Sequence, residues 1–242
     1  MTTPPSERPE PLRIETTRDL LDAIRNKHSL LGADLENATL SRGLFDRIQM
    51  PKASFHKANL RGISMKNADL RLAVFRRAEL ERGNFTAADL RGANFAQAMG
   101  DYCVLTQCKL DKCSFQTSRF TNASFKQTSL IAASLAEGNF FESDFEGSVL
   151  QRANLTNASL MSCNLTGADL RQAVLVGTTL QGSNLTSLQI EGADFTEAKL
   201  SDDQRAFLLD IASGINETTG RETIETLRSG SSPKSKKKFG LF

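Results

Sequence analysis

The residues of this 242-residue chain best suited to chemistry are four cysteines: Cys103, Cys108 and Cys113 follow one another at intervals of five, and Cys163 lies fifty further on. Thiolates can ligate zinc, pair as disulfides or act as nucleophiles. A spacing of five is not a zinc-ligand spacing, and no histidine lies near it. The two histidines, His28 and His56, have neither a nucleophile nor an orienting carboxylate at a recognisable spacing. No glycine-rich phosphate loop occurs, and the carboxylates recur at regular intervals, as expected of a solvated face. Sequons at Asn122, Asn154, Asn164 and Asn184 follow the same regularity and carry no weight as glycosylation sites. These residues imply no enzyme, no metal and no cofactor.

The regularity itself decides the architecture. Every fifth residue from Leu35 to Leu200 is a centre, and 33 of the 34 centres are Leu, Phe, Met or Ile, with Gly100 the exception. Two residues before each centre stands a small or uncharged residue, most often Ala, as at Ala33, Ala68 and Ala193. All four cysteines occupy that slot, which reads them as small buried filler; free buried thiols suit a reducing compartment. Within a unit the alternation of small, polar, large apolar and polar puts two residues on one face of a short extended segment. A period of five then requires a corner after each unit, and corners of one hand build a solenoid whose coils stack at about 4.8 Å. At Gly100 the pattern predicts either that Met99 fills the gap or that the wall bulges beside Tyr102.

Units such as ADLEN, ANLRG, ADLRG, ANFAQ, ANLTN and CNLTG resemble the A(D/N)LXX signature of the pentapeptide-repeat family over about 170 of the 242 residues. That resemblance implies an all-β solenoid, a right-handed quadrilateral β-helix with four units per coil, over residues 30–200. It has short α-helical caps at both ends. On that basis the 34 units make about eight and a half coils, roughly 40 Å of stack.

Terminal coils need covering, because each coil is stabilised by its neighbours and an open edge invites fraying or aggregation. After a disordered 1–14, a capping helix is expected over 15–29, started by Thr16 or Thr17 and turning Leu20, Leu21 and Ile24 to the core. A C-terminal cap is expected over 201–228, with Ser201 and Gln204 as a capping box, Phe207, Leu208 and Ile211 as the apolar face, and Gly214 ending the helix. This segment is also similar to the C-terminal cap of pentapeptide-repeat proteins from cyanobacteria and the chloroplast thylakoid lumen. The matching positions are Gln204, Arg205, Ala212, Ser213, Gly214, Asn216, Thr219 and Gly220, and the resemblance implies a photosynthetic source. No apolar run is long enough to cross a bilayer and no targeting signal is visible, so a cytoplasmic location is expected, with thylakoid association compatible with the resemblance.

Net charge is +2, which disfavours nucleic-acid binding. Lys and Arg outnumber Asp and Glu by 11 to 7 over residues 31–100, and are outnumbered 7 to 10 over residues 101–200. With four sides, residues twenty apart stack, so Lys57 with Arg77 and Arg71 with Arg91 form two basic columns fit for an acidic protein surface or anionic ligand. Residues 229–242 read as a flexible basic tail: Lys234, Lys236, Lys237 and Lys238 precede the apolar Phe239, Leu241 and Phe242. It reads as a peptide that docks in a partner's groove, as an inert solubilising tail, or as a peripheral contact with an anionic membrane. The function expected is a monomeric, non-enzymatic scaffold that recruits a protein partner. The alternative implied by the resemblance is a DNA mimic acting on an enzyme such as gyrase, a role that calls for a strongly acidic rod.

Overall fold

A computed structural model describes residues 11–229. Each residue before a centre bridges in parallel to the residue twenty positions later, from Asp34–Ser54 to Thr179–Lys199, so one coil is four units and the rod is four-sided. The centres and the small residues two before them fill the interior as one continuous core. Phe55, Phe75, Phe95 and Phe115 stack nearly parallel with ring centroids 4.7–4.8 Å apart, the spacing of the coils themselves.

The corners explain why the repeat is five. The N–H of the small residue donates to the carbonyl of the preceding centre, as Ala33 does to Leu30 at 3.2 Å, closing a four-residue turn, except at Ala123, which donates to the Ser143 hydroxyl at 3.0 Å. The third residue of every such corner from Gly32 to Glu197 has a positive φ, the mark of a type II turn. Glycine holds only eight of these 34 positions. The left-handed conformation costs other residues about 1 kcal/mol or more each, and the ladders above and below, with the buried centre beside it, hold it in place.

Gly100 neither bulges nor borrows Met99. Met99 keeps its ladder position, bridging Glu79 and Arg119, and Gly100 donates to the Arg119 carbonyl at 2.7 Å. Its void is filled from the next coil: the Phe120 ring lies where a side chain on Gly100 would be. That ring stands edge-on to Phe95 and Phe115, at centroid distances of 6.1 and 5.2 Å.

The N-terminal cap differs from expectation in two respects. Residues up to 14 were expected to be disordered, yet Leu12–Thr16 run along the first coil: Ile14 donates to Asp34, and Asp34 and Thr39 donate to Leu12 and Glu15, all at 2.8 Å. Ile14 is buried there. Helix α1, Thr17–Arg25, starts from a capping box of Thr16 and Asp19. It buries Leu20 and Ala23 rather than Leu20, Leu21 and Ile24, because the helix lies across the end of the rod and only the i, i+3 stripe meets the interior; Leu21 and Ile24 stay 48% and 42% exposed.

At the other end, Ser201 and Gln204 form a capping box on α2, Asp202–Ile211. Of its apolar residues Leu208 is buried, while Phe207 and Ile211 remain partly exposed. The helix stops at Ile211, and Gly214, at φ +79°, serves the following turn instead, packed against Gly192. A helix absent from the sequence reading, α3 (Thr223–Ser229), packs on α2 and buries Leu227.

Candidate protein-interaction surface

The cysteine side chains are sealed inside the walls. Each Sγ lies 2.8–3.0 Å from the carbonyl 23 residues earlier: Cys103 on Leu80, Cys108 on Phe85, Cys113 on Leu90 and Cys163 on Phe140. Thr178 makes the same bond to Leu155 with its hydroxyl at 2.7 Å, so the slot accepts any small donor. Burial pushes the Cys108 and Cys163 thiols up to about 12, and raises Cys103 and Cys113 as well. Thiolate is the reactive form. All four thiols should therefore resist alkylation in the native protein and react on unfolding in denaturant, counted by mass; rapid native labelling of any one would contradict this packing. Among the described residues, no group of His, Cys, Asp and Glu is placed to hold a metal ion.

The outer faces show what the polar repeat residues do. In the Asn-Leu-Thr units, Asn154, Asn164 and Asn184 Oδ1 each accept from the hydroxyl two residues on at 2.7 Å and from its N–H at 3.0–3.2 Å. The apparent sequons are thus turn chemistry. In the Asp-Leu-Arg units the arginine folds back on the aspartate. Arg71 meets Asp69 through Nε at 2.8 Å and Nη2 at 2.6 Å, and Arg91 meets Asp89 at 2.9 and 2.5 Å. These hydrogen bonds hold Asp69 and Asp89 below the usual carboxylate range.

The two basic columns consequently differ. Arg71 and Arg91 do stack on one face, but as a ladder of neutralised pairs. Lys57 and Arg77 occupy adjacent coils of one corner, both exposed, and neither has an ion pair among the described residues; Arg77 Nε donates only to Gln97 at 2.8 Å. Arg76 lies beside that corner, and Arg42 and Arg82 occupy the next one, also without ion pairs among the described residues. Arg82 sits 5.9 Å from the Tyr102 ring. In that second corner, Arg61 is held by Glu79 and Glu81 at 3.2 and 3.1 Å. The three further arginines are not among the columns read from the sequence, and spacing alone does not single them out: Arg119 has no carboxylate two before it or twenty away, yet it meets Asp101 at 2.8 Å. The tail candidates Lys234, Lys236, Lys237, Lys238, Phe239, Leu241 and Phe242 lie outside the described residues.

The cap residues that carried the second resemblance serve structure. Gln204 Nε2 donates to the Leu180 and Ser183 carbonyls at 2.8 and 2.9 Å, and Arg205 donates to Leu227 and Ala198. Asn216, fully buried, directs its amide at the carbonyls of Gln172, Ala173 and Gly192. Gln204 and Asn216 thus tie the cap to carbonyls of the last coils, two of which, Leu180 and Ala173, also accept from the N–H groups of Ser183 and Asp194.

A four-sided coil of five-residue units, with one large apolar residue inward per unit, defines a pentapeptide-repeat solenoid. The family profile for pentapeptide repeats matches eight copies across segments running from residue 29 to residue 202. The chain belongs to the pentapeptide-repeat family, whose fold is the right-handed quadrilateral β-helix. Similar solved structures include HetL, a protein involved in heterocyst differentiation regulation in Nostoc sp. strain PCC 7120, at 23% identity over 71% of this chain and 84% of that one, with TM-score 0.38. A pentapeptide-repeat protein of the Arabidopsis thaliana thylakoid lumen is 33% identical over 59% and 89%, with TM-score 0.24. A trypsin-treated QnrB1, a plasmid-mediated fluoroquinolone resistance protein, is 18% identical over 69% and 91%, with TM-score 0.44. No curated protein matches the chain. No helix among the described residues is long and apolar enough to cross a membrane.

Proposed function

We propose that this protein is a non-enzymatic interaction scaffold, a rigid rod that offers the cationic corner of Lys57 and Arg77 to an acidic surface of a protein partner. The observation that supports this reading is the contrast between the two columns. Arg71 and Arg91 are already paired with carboxylates of their own coils, whereas Lys57, Arg77 and the neighbouring Arg42, Arg76 and Arg82 have no ion pair among the described residues and sit on a rigid backbone. Because the corners are preorganised by the ladders, a partner loses little entropy in meeting them. The near-neutral charge of the chain, +2, disfavours the alternative of an acidic duplex mimic.

The test is affinity capture from cell extract with the intact chain, the double variant K57E/R77E, the variant R71Q/R91Q and a chain ending after Ser232, each quantified by mass spectrometry. Reversal at Lys57 and Arg77 should weaken capture of the principal partner about tenfold or more, equivalent to about 1.4 kcal/mol. The Arg71 and Arg91 variant should change it little. Capture should fall steeply with added salt, as expected for exposed charges. A partner held equally by K57E/R77E would overturn the reading. Loss only on removing the tail would transfer recognition to Lys234, Lys236, Lys237, Lys238, Phe239, Leu241 and Phe242.

A further inference from the structure

The N-terminal end of the rod is only half closed. Leu12–Thr16 pair with the sides centred on Leu35 and Leu40, but among the described residues no bridge lies beneath Leu44 or Gln49. One coil higher, Ser64 and Asp69 donate to Gly43 and Ile48 at 2.8 and 2.9 Å. The N–H groups of Leu44 and Gln49, their counterparts, have no partner among the described residues. Beside this open edge is a groove of about 780 Å³. Its apolar rim is exposed: Leu44 by 81%, Leu31 by 60%, Leu21 by 48% and Ile24 by 42%. An unpaired edge beside an apolar groove suits an extended apolar segment, which adds main-chain hydrogen bonds along the edge and sets alternate side chains into the groove.

The chain carries such a segment, Phe239-Gly240-Leu241-Phe242. It follows α3, which is fixed at the opposite end of the rod, where Thr226 Oγ1 accepts from Phe195 N–H at 3.1 Å. Nearly eight coils separate that level from Leu44, about 37 Å at about 4.8 Å per coil. The ten residues from Ser229 to Phe239 span at most about 36 Å when fully extended, so a chain can scarcely bring its own FGLF to its own groove. A second copy placed end to end has no such limit. We infer that the groove at the N-terminal end binds residues 239–242 of a second copy, joining rods head to tail. The contact is heterologous, so it can propagate into open chains. It departs from the monomer expected of a rod capped at both ends, because the N-terminal cap leaves two sides of the first coil bare.

The test is sedimentation velocity of the full chain over a hundredfold range of concentration. It is paired with fluorescence anisotropy of a labelled peptide of residues 234–242 on the chain ending after Ser232, which keeps every described residue. The weight-average mass of the full chain should rise with concentration, and should stay monomeric for the truncated chain and for L44D. Leu44 is too exposed for that change to unfold the rod, and an unchanged circular dichroism spectrum checks this. L44D should weaken peptide binding at least tenfold, and binding should survive 0.5 M salt, unlike capture through the Lys57–Arg77 corner. Self-association of the truncated chain that L44D abolishes would show edge-to-edge pairing of two rods and overturn the inference. Absence of both association and peptide binding would overturn it equally.

Discussion

Asn216→Asp should lower the free energy of unfolding by about 3 kcal/mol or more, read from the midpoint of urea denaturation. The asparagine is fully buried in the C-terminal cap. Its Nδ2 lies 2.7 Å from the Gly192 carbonyl and 3.2 Å from those of Gln172 and Ala173. Its Oδ1 accepts from the N–H groups of Thr218 and Thr219 at 3.0 and 2.9 Å. Aspartate has the same shape, but it sets an oxygen against three carbonyl oxygens and brings a charge into a buried site. Breaking a buried bond on one side costs about 1–3 kcal/mol, and more when a charge is left behind. Asn216→Ala, which removes the donor without adding charge, should cost about 2 kcal/mol. The loss should begin locally, since a solenoid coil depends on its neighbours. Amide exchange should accelerate first in residues 170–195 and last in residues 50–100. A change below about 1 kcal/mol for both variants would mean that water replaces the amide and that the cap is not closed by this residue.

Gly100→Leu should destabilise the protein by about 2–3 kcal/mol even though it restores the commonest centre residue to the one slot lacking it. The position has no left-handed backbone to strain, so the cost is steric: the new side chain would occupy the space of the Phe120 ring, which is packed edge-on against Phe95 and Phe115. Overpacking of this size typically costs about 1–3 kcal/mol. Phe120→Ala should cost about 3–5 kcal/mol through the cavity it opens. The joint variant G100L/F120L should recover most of the stability, with a coupling of about 1–2 kcal/mol in a double-mutant cycle. Additive effects in that cycle would refute the account in which Gly100 and Phe120 share one packing site.

Both residues show how far a regular repeat can be read. Gly100 was visible as an irregularity, but its filling came from twenty residues away, through a rotation of one ring that no spacing encodes. In Asn216 the resemblance marked a residue to notice without saying what it does; its task depends on which carbonyls the last coil leaves without a strand above them.

A period of five with one large apolar residue per unit was enough to read a solenoid with its large residues and its cysteines inside, while the four sides came from the family resemblance. With four sides taken from that resemblance, counting by twenty placed the two pairs of basic residues on common columns. Tertiary structure alone decided which column keeps its charge, because neutralisation depends on a side chain folding onto Asp69 or Asp89. It alone decided how the ends close. A repeat is stabilised by identical neighbours and specifies itself, whereas an end meets a helix lying across it, and which of Leu20, Leu21, Ala23 and Ile24 goes inside depends on the angle of that helix to the last coil.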